Sequence, residues 1–484
     1  MAVSIEKVAW LGIDGTRRRA RPGAQRWRAL AGAVLLAACF CHGSARGGGQ
    51  DGAPPAVSLP VAALPAAPAP SVPAAPSSGL QVLHWWTSAS ERKAADLLAA
   101  RLAGEGVEWR DEPIHGGAGI GAGKVLKGKV LAGDPPQATQ IIGVSVAEWS
   151  EMGLLLELDN VASADNWSGV LFPTVQNLIQ YRKHTMAAPL GIHRVNTLFY
   201  NRALFARLKL APPRTWAEFD AVAQRLAAAG IAPLAQSSEA WQVATLFENL
   251  VLAESGPGFY RELFVRRNPA AAADPRTAHA LERLRKVKGW SRGQLAERPW
   301  TEVVRRFARG EAGMMIMGDW AKAELNERGT VLDRDYGCAG APGTGGYHLY
   351  SVDTLSMFAG DYRHAQAQEK MARLLVSPAV QADYNVLKGS VPARRDADPA
   401  RMDSCARASW TIFARGGEVQ APSMVHRMAV DEASRDAIIA EVHRFFLDDR
   451  AAVAVAQRRL AALFRLFNIT SQGMPGAQDT DRRR

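Results

Sequence analysis

From Leu80 to about Phe464 the chain alternates short apolar runs rich in β-forming residues with longer segments of helical apolar spacing. That alternation constrains the fold more than any single motif, because strands separated by helices build a sheet with helices packed on it. Leu80-Gln-Val-Leu-His-Trp-Trp86 reads as the first core strand. Ala94, Leu97, Leu98 and Leu102 mark the buried face of a helix, and Val107-Glu-Trp109 resumes as a strand. Residues 138–142 read as a further strand and 146–155 as a helix, with Asp159 near the following turn. Thr215-Trp-Ala-Glu218 has capping-box spacing, with Phe219, Val222 and Leu226 on the apolar face and Gly230 past the end. Residues 240–310 and 429–467 are helical by pattern, and 313–320 form an apolar strand ending at a polar-aromatic corner. No repeat of fixed period interrupts the series. The fold class is α/β.

Before Leu80 the composition is of another kind. Residues 1–38 carry seven basic side chains against Glu6 and Asp14, then ten uncharged residues from Ala29 to Ala38. A basic cluster followed by so short an apolar run is a secretory signal, too short to span about 30 Å of hydrocarbon. Leu36-Ala-Ala-Cys39 is similar to a lipobox, which would acylate Cys39; cleavage after Ala45 is the alternative. Residues 39–79 form a tether: the stretch from 47 holds eight prolines and nine alanines and can bury no core. The tail, 476–484, is expected to be disordered. Of the formal net charge of +11, the leader carries five units and the terminal arginines three more. The remainder is too slight to argue for nucleic acid.

Catalytic and metal motifs are absent from the sequence. Gly116-Gly-Ala-Gly-Ile-Gly-Ala-Gly-Lys124 invites a phosphate loop, but a P-loop needs Gly and Ser or Thr where this chain has Ala118 and Val125. It reads as a turn before a helix carrying Lys124 and Lys127. No Gly-x-Ser-x-Gly or His-Glu-x-x-His occurs, and isolated carboxylates are ordinarily solvated, so binding is favoured over catalysis. No cofactor is expected, and cysteine spacing makes no metal site. In an exported chain Cys338 and Cys405 are candidates for one disulfide, with two free thiols as the alternative. The stronger signal is aromatic. Thirteen tryptophans include the adjacent Trp85 and Trp86 at the end of the first strand, where an α/β sheet opens its ligand crevice. Indole faces pack against the C–H face of a pyranose while fixed polar groups take its hydroxyls. Trp109, Trp149 and Trp216 are assigned to the core.

Several segments in order carry a resemblance. Val82-Leu-His-Trp-Trp-Thr-Ser-Ala-Ser-Glu91, Gly191-Ile-His-Arg-Val-Asn-Thr-Leu-Phe-Tyr-Asn201, Pro213-Arg-Thr-Trp-Ala-Glu-Phe219 and Met317-Gly-Asp-Trp320 come first. Ala341-Pro-Gly-Thr344, Ser351-Val-Asp353, Asn385-Val-Leu-Lys-Gly-Ser-Val-Pro-Ala-Arg394 and Pro422-Ser-Met-Val-His426 follow. Together they resemble the glucose/mannose-binding proteins of ABC sugar importers, within the maltose-binding-protein class of extracellular solute-binding proteins. The resemblance implies a bilobed periplasmic-binding-protein fold over residues 80–475, with two α/β lobes joined by two or three crossing strands. It implies a monomer in the periplasm that delivers a sugar to a membrane permease. The sugar contacts it implies are Trp85 and Trp86 on one wall, Trp320 as the facing platform, and Glu91, Asp353, Lys388 and His426 on hydroxyls. Gln140, Ile142, Trp241 and Asp319 neighbour that site, and Cys338 with Cys405 fall at the family's disulfide positions. Relatives carry Gln-Ile-Lys-Gly where this chain reads Gln140-Ile-Ile-Gly143, so Ile142 stands in place of a sugar-contacting cation. A binding protein or receptor domain for another small solute or an oligosaccharide is the alternative, and a secreted carbohydrate-active enzyme is the rival from another class.

Overall fold

A computed structural model describes residues 79–116, 119–291, 295–360 and 362–472. The signal segment, Cys39, nearly all of the tether and the 476–484 tail lie outside the described residues. Thirteen strands are present among those described. In chain order they begin β1 (Leu80–His84), β2 (Trp109–Pro113), β3 (Ala138–Gln140), β4 (Gln180–Tyr181), β5 (His184–Thr185), β6 (Ala188–Arg194) and β7 (Thr197–Asn201). They continue with β8 (Ala232–Ala235), β9 (Ala312–Met317), β10 (Tyr336–Gly340), β11 (His348–Met357), β12 (Val391–Pro392) and β13 (Gln420–Pro422). One sheet runs β12-β6-β11-β3-β1-β2, with β13 on β11; a second runs β10-β7-β9-β8; β4 and β5 pair alone.

Each large sheet has its own apolar core. Val82, Leu98, Leu190, Val352 and Tyr384 cluster about the first sheet, and Leu198, Phe219, Phe247, Met314 and Phe464 about the second. The chain passes from one core to the other between Ile192 and Val195, back again between Leu349 and Tyr350 on β11, and once more around residues 421–428. The fold is thus bilobed α/β, as expected. Cys338 on β10 and Cys405 on the helix Ser404–Phe413 form a disulfide, Cα atoms 6.1 Å apart. That helix also places Ala406 and Phe413 in the first core, so the bond ties the second sheet's edge strand to the other lobe.

Local boundaries differ from the sequence reading for physical reasons. β3 ends at Gln140 because Gly143 takes φ 59°, and an added Cβ there would lie 2.1 Å from the Arg427 carbonyl oxygen. Val144 N–H donates to that same oxygen at 2.9 Å. The next helix, Ser145–Glu151, stops short of Leu155 at the left-handed Gly153. Thr215 caps its helix by accepting from Glu218 N–H, but the Glu218 carboxylate reaches back one residue further, to Arg214 N–H.

Candidate functional site

Between the lobes lies a cavity of about 380 Å3, within the size range of small-molecule sites. One wall comes from the first sheet and the turns and helices packed on it: Trp85, Glu91, Ile142, His193, Asp353 and Lys388. The opposite wall carries Glu239, Trp241, Trp300, Trp320 and His426.

The aromatic surfaces are set by close backbone packing. Trp85 follows β1, half-buried, with its ring against Gly119, where an added Cβ would sit 3.1 Å away. Gly119 has φ 71° and opens the helix Ile120–Leu131, so the glycine-rich stretch is a close-packed turn beside the cavity. Trp320 begins the helix Trp320–Glu327 and folds back over Gly318, where a Cβ would lie 2.1 Å from the indole. Its ring centroid is 5.5 Å from that of His193 and 5.1 Å from that of His426. The rings of Trp241 and His426 meet edge to face, with centroids 6.2 Å apart.

A chain of buried charges lines the floor. The carboxylate of Glu91 accepts Ser88 N–H and Thr87 N–H through Oε2, completing the capping box of the helix Ala89–Gly104, and holds Lys388 Nζ at 3.2 Å through Oε1. Lys388 ends the helix Pro378–Lys388, and its Nζ is 3.8 Å from Asp353. Asp353 faces His193 Nε2 at 3.2 Å, while His193 Nδ1 faces Asp319 at 2.6 Å. Burial works against charge on Lys388, but Glu91 and Asp353 outweigh it and its pKa is raised. Burial likewise opposes an imidazolium at His193, yet the flanking Asp319 and Asp353 raise its pKa. Burial would push Asp353 up; Lys388 and His193 instead hold it at about 2. His426 is the opposite case, since burial, followed by the charge of His193, lowers it to about 3 and leaves the ring neutral. The floor therefore offers buried, fixed charged donors and acceptors.

Six of the seven expected contacts line this cavity: Trp85, Glu91, Trp320, Asp353, Lys388 and His426. Trp86 does not. It is fully buried, its ring stacked 5.0 Å from His84 and tilted against Tyr384 at 6.0 Å, because strand alternation sends neighbouring side chains to opposite faces. Ile142 and Trp241 belong to the lining. Gln140 and Asp319 act behind it: Gln140 donates to Asp353 at 3.2 Å and Asp319 orients His193. The sequence reading missed His193, His115, Glu239 and Trp300. His193 lies inside a quoted segment, and its place on β6, paired with the Asp353 strand β11, was the available signal.

Comparison with known proteins follows the same outline. The family profile described as Bacterial extracellular solute-binding protein matches residues 87–382. A "Probable sugar-binding periplasmic protein" of Brucella melitensis is 35% identical over 369 residues, covering 76% of this chain and 87% of that one. One of the same description from Rhizobium meliloti is 34% identical, covering 76% and 90%. Among solved structures, a chitin oligosaccharide binding protein superposes with TM-score 0.68 at 19% identity, covering 81% of this chain and all of that one. The solute receptor AcbH, described as preferring β-D-galactopyranose, gives TM-score 0.68 at 16% identity, covering 81% and 99%. These likenesses show the fold.

Proposed function

The chain belongs to the bacterial extracellular solute-binding proteins, a family of binding proteins rather than enzymes, and on that premise we propose that it captures a glucose-like aldohexose in the interlobe cavity and delivers it to an ABC permease. One observation carries the reading. The indoles of Trp85 and Trp320 share a single cavity with the polar side chains of Asp353, Lys388 and His426. An apolar ring face bordered by fixed polar groups is the complement of a pyranose. The names of the relatives support a sugar, and the cavity's size suits a small one. Binding would favour a closed arrangement of the lobes, the form a permease recognises. In this reading the N-terminal segment directs export to the periplasm, acylated Cys39 anchors the chain, the 39–79 tether holds the monomer off the membrane, and neither cofactor nor nucleic acid takes part.

A thermal-shift panel of mono- and oligosaccharides on the full chain tests the ligand class, since a bound ligand stabilises by RT ln(1 + [L]/Kd). A hexose is expected to raise Tm; a shift confined to oligosaccharides would favour the alternative of a longer ligand.

Ile142 tunes the proposed affinity. It is 2% exposed and lines the cavity, at the position where the family resemblance implies a cation. A charge-assisted hydrogen bond contributes roughly 1.5–3 kcal/mol. Ile142→Lys is therefore expected to bind glucose about tenfold tighter or more by calorimetry. Equal affinity in the two proteins would mean that this position does not read the sugar.

A further inference from the structure

We propose that Glu248 and Ser423 set the hydrogen-bonding sense of His426 toward the cavity, so that Nε2 presents a lone pair and selects a ligand group that donates, a hydroxyl. The ligand half of this statement rests on the sugar reading; the relay itself does not.

Glu248 lies inside the helix Ala240–Tyr260, 0% exposed, and its side chain reaches the crossing segment after β13. Its Oε2 accepts from Tyr260 OH at 2.8 Å, Met424 N–H at 2.9 Å and Val425 N–H at 3.5 Å. Its Oε1 accepts the Ser423 hydroxyl at 2.8 Å. A serine has one proton to give, and here the carboxylate takes it. The Ser423 oxygen then accepts from His426 N–H at 3.2 Å, and its remaining bond is to His426 Nδ1 at 2.8 Å. That bond requires Nδ1–H. The ring is neutral, so Nε2 carries the lone pair, and among the described residues nothing else bonds it.

The surroundings also dictate what happens when the carboxylate is neutralised. Three donors converge on Oε2, so a glutamine at this position must put its carbonyl there and turn its NH2 to Ser423. Serine would then accept from the amide and donate to Nδ1, and the ring proton would move to Nε2. A protonated Glu248 would do the same, with its proton on Oε1. Burial pushes this carboxyl up to about 7, so wild type crosses between the two arrangements near neutrality. The other titratable or charged groups around the trio are Tyr260 and Arg261 at the helix end, Tyr350 on β11, Arg427 in the crossing, Arg435 on the helix Glu432–Leu447, and His193 with Asp353. Tyr260 is held well above its usual value, Asp353 at about 2, and burial lowers Arg427 to about 10, while His193 is held toward its charged form.

Nitrogen NMR of histidine-labelled full chain without ligand tests the relay, the His426 signal being the one lost in His426→Gln. At about pH 9 wild type is expected to show Nδ1–H and a bare Nε2, moving to Nε2–H at about pH 5, whereas Glu248→Gln shows Nε2–H at both. Ser423→Ala is expected to remove the pH response. An Nε2–H tautomer in wild type at about pH 9, or no difference between wild type and Glu248→Gln, would overturn the proposal; if that variant does not fold, the wild-type pH series and Ser423→Ala decide it. For whichever sugar binds, Glu248→Gln should weaken affinity about tenfold at about pH 9 and show no pH step. Expected tautomers with no sugar bound by any protein would leave the relay standing and defeat the sugar reading.

Discussion

Replacement of Asp353 by alanine is expected to cost about 3–5 kcal/mol of stability and about a hundredfold in ligand affinity. Asp353 is buried and accepts from Gln140 at 3.2 Å, His193 at 3.2 Å and Tyr384 at 3.4 Å, with Lys388 at 3.8 Å. Its removal leaves His193, buried and held toward its charged form, with Asp319 alone. The sign of the pH dependence follows from the shifts. Asp353 is depressed to about 2, so its contribution is present above its ordinary value of 3.8 and fades as pH falls through about 2. His193 is raised, so its contribution is complete below 6.5 and is lost as pH rises through its folded value. The deficit of the variant should thus be full between about pH 4 and pH 6.5 and shrink as pH rises through the folded value of His193. Chemical denaturation of both proteins across an alkaline pH series checks this; a deficit that grows with pH would contradict the charge assignment.

The two adjacent tryptophans should separate stability from binding. Trp86→Ala is expected to destabilise by about 3–5 kcal/mol, the usual cost of emptying a large aromatic from a closed core. Trp86 is 0% exposed, with the rings of His84 and Tyr384 against it. Its effect on ligand affinity should be small wherever the variant is folded. Trp85→Ala should behave in reverse, losing about tenfold or more in affinity while stability changes by about 1 kcal/mol, since the half-buried ring faces the cavity. Denaturation and calorimetry on the two variants measure both quantities. Equal stability losses would mean that the alternation at the end of β1 has been misassigned.

These residues also show what a sequence of this kind makes legible. The β-α-β opening and the aromatic corner at Trp320 follow from apolar spacing and turn chemistry, which are local. Export made Cys338 and Cys405 candidates for one disulfide with free thiols as the alternative, the resemblance favoured the bond, and the fold brings the two together. Trp86 went astray because a strand end can either keep its alternation or splay both side chains into a crevice, and packing against Tyr384 decides between them. Glu91 was legible as a polar residue at the site, but Ser88-x-x-Glu91 is also a capping box, and most of its carboxylate is engaged by the helix start and Lys388. His193 was harder. Its role depends on Asp319 and Asp353, which lie more than a hundred residues away along the chain and meet it only where the lobes cross.

The most direct test is isothermal titration calorimetry of the unaltered chain against single monosaccharides, glucose and mannose first, with galactose and xylose beside them. The account predicts saturable binding of at least one aldohexose at one site per chain, lost in Asp353→Ala and weakened in Trp85→Ala. No heat of binding from any monosaccharide, or binding that survives loss of Asp353 unchanged, would contradict it.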